Sequence, residues 1–101
     1  MPRRNEDALS EFRIFETEEF HKRLKKLSSL DAAFLRRKLD SFVYPQLKVE
    51  PFWGNNIKKI QGYTPETWRY RIGKFRVFYI VEQDEQILYI LTVDDRKDVC
   101  R

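Results

Sequence analysis

The stretch Thr67-Trp-Arg-Tyr-Arg-Ile-Gly-Lys-Phe-Arg-Val-Phe-Tyr79 constrains the fold of this chain more than any other. Apolar and basic side chains alternate on both sides of Gly73-Lys74, and a period of two marks a β-strand with one buried face. A Gly-first two-residue turn suits a type II′ hairpin, because glycine tolerates the positive φ of the first turn position. Counting outward from the turn sets the register. Ile72 opposes Phe75, Arg71 opposes Arg76, Tyr70 opposes Val77, Arg69 opposes Phe78 and Trp68 opposes Tyr79. One face then carries Trp68, Tyr70, Ile72, Phe75, Val77 and Tyr79, an apolar surface that other elements must cover. The opposite face carries Arg69, Arg71 and Arg76.

The remaining elements arrange themselves around this hairpin. Thr17 to Leu27 reads as a helix: Thr17 is an N-cap, Glu18 and Glu19 fall in the first turn, and Lys25 and Lys26 in the last, each at the end the helix dipole favours. Phe20, Leu24 and Leu27 share one face. A second helix runs from about Leu30 to Val43, with Leu30, Phe34, Leu35, Leu39 and Phe42 on one seam and Arg36, Arg37 and Lys38 pointing elsewhere. Tyr44-Pro45 is expected to end it, since the residue before proline avoids the helical region. Gln46 to Asn56 reads as a loop. Strands are expected at Phe12 to Phe15, Ile57 to Gln61, Thr67 to Gly73, Lys74 to Glu82 and Gln86 to Val93. The order predicts an α+β fold, in which an N-terminal strand and a helical hairpin pack on one face of a twisted antiparallel sheet.

With 101 residues the chain reads as a single domain spanning 1–101, residues 1–11 forming a flexible polar arm and residues 94–101 a basic C-terminal tail. That length leaves no room for a separate cofactor domain. Cys100 is the lone cysteine and His21 the lone histidine, so an intramolecular disulfide and a cysteine-based zinc site are excluded, and no metal or cofactor is expected. No apolar run approaches the ~18 residues of a membrane helix. The first eleven residues lack the apolar core of a signal peptide. A cytoplasmic setting without membrane contact follows as the expectation. The net charge of +4 suits a polyanionic partner.

Two arginines placed directly opposite each other across a hairpin repel. At ~5 Å the repulsion is on the order of a few kcal/mol before screening. An anion between them relieves it. That anion is either internal, from Glu82, Asp84, Asp94, Asp95 or Asp98, or an external phosphate, which the arginine fork binds through two parallel hydrogen bonds. One of Lys58 and Lys59 must project to the arginine face, and Arg96 and Lys97 follow the last strand. Trp53, Phe78 and Tyr89 are either core residues or stacking platforms for bases, the latter worth ~1–3 kcal/mol per base. Phe78, Ile80, Tyr89 and Leu91 form an apolar row on the arginine face. A row of that size calls for a cover: the N-terminal arm, a second copy or a partner peptide.

Ile57-Lys-Lys-Ile-Gln-Gly62, the hairpin Trp68 to Tyr79, the closing strand Ile87 to Val93 and the tail Asp94-Asp-Arg-Lys-Asp-Val-Cys100, together with Phe20, Leu24 and Leu27, resemble the RelE/ParE toxin superfamily over residues 12 to 100. The resemblance implies a toxin of a toxin–antitoxin pair, with a cognate antitoxin as partner and operator DNA met only through the antitoxin complex. RelE-like members cut messenger RNA in the ribosomal A site without a metal, which blocks translation and makes ribosome and mRNA the partners. ParE-like members inhibit DNA gyrase. A degenerate member would bind only antitoxin and operator DNA.

Carried over by position, Arg76 corresponds to the arginine on the scissile phosphate. Arg69 and Arg71 correspond to groups that stabilise the reacting atoms, and Arg96 to the arginine after the last strand. Lys58, Lys59, Lys97 and Cys100 fall at RNA-binding positions. The sequence departs from the family pattern at Cys100, where a tyrosine is common, and at Asp95, where others carry histidine. A thiol with a free pKa of about 8.5 is a poor acid and cannot stack as a ring does. The general acid is therefore unassigned.

Overall fold

In the computed structural model, which describes residues 11–95, Thr17 makes the junction on which the N-terminal half turns. Its Oγ1 accepts from the Phe20 amide at 3.2 Å, the expected cap, and donates to the Ile90 carbonyl at 2.8 Å. The first helix is thereby tied at its start to the last strand. A short strand β1 (Arg13–Glu16) precedes it, and the helix α1 covers Glu18–Lys25. Ser28 caps the next helix, α2 (Ser29–Lys38), by accepting from the Asp31 amide at 3.1 Å.

The second helix does not stop before Pro45. It passes through a π-helical turn, Leu39–Val43, into a short helix α3, Tyr44–Val49, with Pro45 in its first turn. The Tyr44 amide reaches back five residues to the Leu39 carbonyl. Widening the turn at this point admits a residue that has no amide proton and whose ring crowds the carbonyl of the preceding turn. The wide turn also shifts the buried stripe. Leu35, Leu39 and Val43 face inward, whereas Phe42, placed on the seam by sequence periodicity, is 62% exposed.

Four further strands follow: β2 (Ile57–Ile60), β3 (Thr67–Ile72), β4 (Phe75–Glu82) and β5 (Ile87–Asp95). The sheet order is β1-β5-β4-β3-β2. All pairs are antiparallel except β1 with β5, which is parallel. β1 reaches β5 without a hairpin, so no turn imposes the antiparallel direction expected for the whole sheet. The helices lie on one face. Phe20, Leu35, Leu39 and Leu47 meet Phe75, Val77, Tyr79, Leu88 and Ile90, all essentially without exposure. Each such side chain stabilises the fold by about 1.5–3 kcal/mol relative to leaving it in water.

Two tyrosines lock the layers together. The Tyr44 hydroxyl donates to Glu16 Oε2 at 2.6 Å, and Arg36 donates to the same oxygen at 2.7 and 2.9 Å, so β1, α2 and α3 converge on one carboxylate. The Tyr79 hydroxyl donates to the Pro51 carbonyl at 2.6 Å. Burial, and for Tyr44 also the neighbouring Glu16 carboxylate, push both phenols well above the ordinary tyrosine range. Above pH 10 the unfolded chain therefore binds fewer protons than the folded one, and stability falls as pH rises. We expect the unfolding free energy to decline above pH 10, by up to about 1.4 kcal/mol per pH unit for each tyrosine. The Tyr44→Phe and Tyr79→Phe variants should each flatten that decline in alkaline urea titrations.

Candidate functional site

The hairpin register agrees with the sequence count at every position: Ile72 with Phe75, Arg71 with Arg76, Tyr70 with Val77, Arg69 with Phe78 and Trp68 with Tyr79. Gly73 has φ +59°, and no positive φ occurs at Lys74, as a Gly-first turn requires. Tyr70, Ile72, Phe75, Val77 and Tyr79 are buried toward the helices. Arg69, Arg71 and Arg76 therefore share the outer face of the sheet.

The β2–β3 register decides between the two lysines. Lys58 pairs with Arg69 and joins the outer face, whereas Lys59 pairs with Trp68 and points the other way, with its Nζ 3.2 Å from Glu66. Lys59 is thus not part of the arginine face. Arg96, Lys97 and Cys100 lie outside the described residues. β5 runs two residues past its expected end, to Asp95, which pairs with Phe75 beside the turn. β5 therefore ends beside the hairpin turn, at the arginine end of the sheet.

Most acidic candidates for neutralising these arginines are engaged or distant. Asp94 sits opposite Arg76 in the register, but its Oδ1 accepts from Arg23 of α1 at 2.7 Å. Asp95 Oδ2 is 3.9 Å from Lys74, on the strand position opposite Phe75. Glu82 pairs with Ile87 at the far end of β4, and Asp84 follows it in the turn. Asp98 lies outside the described residues. Among the described residues, neither Arg71 nor Arg76 forms an ion pair. The Arg76 guanidinium stands 5.5 Å from the Phe78 ring centroid, and its Nε is buried with no hydrogen-bond partner. Arg71 is exposed.

Beyond the arginines the same face turns apolar. Phe15 of β1, Tyr89 of β5 and Ile80 of β4 are aligned across three strands, with Phe15 edge-on to Tyr89 at 5.6 Å. Phe78, Ile80, Tyr89 and Leu91 are half-buried rather than bare, and Phe15 is the most open of the group at 54%. Leu91 is the extra residue of a β-bulge: Tyr79 pairs with Ile90 and Phe78 with Thr92, leaving Leu91 unmatched. No alternation rule reveals a bulge, so the sequence count could not place it. Trp53 is 76% exposed, in the loop before β2. Its neighbours Pro51 and Phe52 pack on the helix side, the Phe52 ring 5.0 Å from that of Trp68.

A small sheet with two helices on one face and an open face bearing paired arginines defines a class of compact protein. Relatives of known structure share that frame. A chain of the RelBE2 toxin–antitoxin complex of Mycobacterium tuberculosis superposes with a TM-score of 0.67 at 22% identity, over 85% of this chain and 99% of that one. A chain of the Pyrococcus horikoshii RelE–RelB complex gives 0.64 at 26%, over 84% and 94%. In sequence, a Methanocaldococcus jannaschii protein named as a toxin, RelE1, is 37% identical over 82 residues, covering 78% of this chain and 88% of that protein. Residues 14–99 match the family described as ParE toxin of type II toxin–antitoxin systems, parDE. The chain belongs to the RelE/ParE family and is a RelE-like toxin of a toxin–antitoxin system.

Arg71 and Arg76 repel across the hairpin in the absence of a ligand. Arg71→Gln should raise the unfolding free energy by about 0.2–1 kcal/mol at low salt. The gain should shrink as added salt screens the pair, which urea titrations across a salt series would measure.

Proposed function

We propose that this toxin is an endoribonuclease that cuts messenger RNA on the ribosome and so blocks translation. The observation that carries the reading is the Arg71–Arg76 pair, set opposite each other on an open sheet face without a carboxylate partner among the described residues. In the reaction a ribose 2′-oxygen attacks the adjacent phosphorus, the bond from phosphorus to the 5′-oxygen breaks, and a cyclic phosphate and a 5′-hydroxyl result. One proton leaves the 2′-hydroxyl and one arrives at the 5′-oxygen. Negative charge grows on the non-bridging oxygens as the new bond forms. Guanidinium groups already in place stabilise that charge more than they stabilise the resting phosphodiester, and this difference lowers the barrier.

Arg76 holds the scissile phosphate in this reading, through a side chain steadied by Phe78. Arg71 and Arg69 stabilise the reacting oxygens from the neighbouring strand, and Arg96 adds a cation from the tail. Lys58 and Lys97 grip the flanking backbone in this reading, and Cys100 is assigned an RNA-binding role. Lys59, turned to the other side, grips only strand that passes around the sheet edge. His21 stands on α1 with its Nε2 2.9 Å from Glu16, the last residue of β1, and is given no role in this reading. The partners are ribosome and mRNA in the cytoplasm, and a cognate antitoxin that restrains the toxin and alone brings it to operator DNA. The antitoxin partner draws support from the RelE–RelB complexes among the similar structures.

Gyrase inhibition is the second reading, and the ParE description of the matching family favours it. Induced expression in a bacterial host separates the two. The ribonuclease reading expects message ends mapped within codons, and about 10²–10³-fold fewer such ends with Arg76→Ala at a urea midpoint no lower than that of the wild type. A DNA damage response with intact messages would favour gyrase. Normal growth with the wild-type chain would mean a degenerate toxin that only binds antitoxin and operator.

A further inference from the structure

A groove of about 680 Å³ opens between α2, its π-helical extension and the hairpin end of β3. Phe34, Lys38 and Phe42 line its helix side, and Asn56, Tyr70 and Arg71 its sheet side. We propose that this groove is a second nucleotide subsite, which takes an unpaired base and its phosphate from the same single strand whose scissile phosphate lies at Arg76. The inference rests on the ribonuclease reading.

Its chemistry is that of a nucleotide. The Lys38 ammonium stands 5.0 Å from the Phe42 ring centroid and 6.0 Å from that of Phe34. Among the described residues Lys38 has no carboxylate partner, since the nearby Asp40 lies 3.7 Å from Arg36. A cation beside two aromatic faces binds an anion and a base at once. Phe42 owes its exposure to the π-helical turn, which rotates it off the buried seam. Gln46, on the floor, accepts the Tyr70 hydroxyl with Oε1 at 2.7 Å, which leaves its amide nitrogen as a donor for a base edge.

Arg71 joins the two sites. β2 pairs with β3 only as far as Ile57 with Tyr70, and one further bond, from the Arg71 amide to the Asn56 carbonyl at 3.0 Å, ends the contact. Arg71 therefore stands at an open corner, opposite Arg76 in register yet lining the groove. A backbone held at Arg76 passes Arg71 before it reaches Lys38. The apolar lining is short and flanked by two cations. That suits one base and its phosphate better than the long apolar stripe of a helical peptide.

The test uses the full chain and a 2′-O-methyl oligouridine, which the toxin cannot cut. Phe42→Ala should weaken binding by about 5- to 100-fold, the loss of one stacked base. Phe42→Tyr should retain wild-type affinity. Lys38→Met should lower the slope of log affinity against log salt by about 0.7, the loss of one phosphate contact on a single strand. If Phe42→Ala fails to fold, the variant at half-buried Lys38 decides alone. Unchanged affinity in Phe42→Ala and an unchanged salt slope in Lys38→Met, with a wild type that still cuts message, overturn the subsite and leave the ribonuclease reading standing. A wild type that neither binds the probe nor cuts message overturns both. Cross-links from a thiouridine-bearing probe should fall on Phe34 or Phe42. If they fall elsewhere, and an acidic helical peptide shields both rings instead, the groove is a protein-docking surface and the subsite is overturned.

Discussion

The two-residue turn at Gly73-Lys74 fixes where Arg69, Arg71 and Arg76 stand on the sheet. A glycine at φ +59° closes the hairpin in one register, and that register sets Arg71 opposite Arg76 and both on the face the helices leave open. Sliding β3 by a single residue would turn Arg69 and Arg71 into the core and Tyr70 and Ile72 into water, so the packing of the apolar face enforces the placement of the charged one. Burial of Phe75, Val77 and Tyr79 therefore stabilises an arrangement of like charges that would not persist on its own merits. Among the described residues the cost is not relieved, because the nearest acid in register, Asp94, is bonded to Arg23. An unrelieved pair of cations over a rigid floor is preorganised to receive a phosphate.

Much of this was legible from residue order. The hairpin register, the cap at Thr17 and the split between an aromatic face and a basic one all follow from local rules. Turn chemistry and alternation act over a few residues, so one sequence contains all the information they need. The elements that escaped depend on something else. The π-helical turn before Pro45 arises from a conflict between proline sterics and the burial of Leu39, Val43 and Leu47, and tertiary packing won. The same turn exposed Phe42. The parallel pairing of β1 with β5 joins residues about seventy positions apart, where no local signal reaches.

The candidate site divides along the same line. Arg69, Arg71 and Arg76 were readable because they sit within one hairpin. The choice between Lys58 and Lys59 needed the register of a second strand, which the loop from Gln61 to Glu66 does not announce. Trp53 is an exposed aromatic beside basic sequence, a pattern that suggests stacking, yet its loop is drawn to the helix side by the Tyr79 hydroxyl and by Trp68. Lys38 reads in sequence as one more solvated charge on a helix. Only the fold brings it over two rings and beside the corner where Arg71 emerges.

The account stands on Arg71 and Arg76 acting together as a receptor for one nucleotide backbone. Their Nε–Hε resonances report that contact directly, with Arg13 and Arg37 of the same chain as internal references. Titration with a 2′-O-methyl oligouridine should shift and sharpen the Arg71 and Arg76 signals at a common affinity while the references stay fixed. Signals from Arg71 and Arg76 that do not move, or that move no more than those of Arg13 and Arg37, would contradict it.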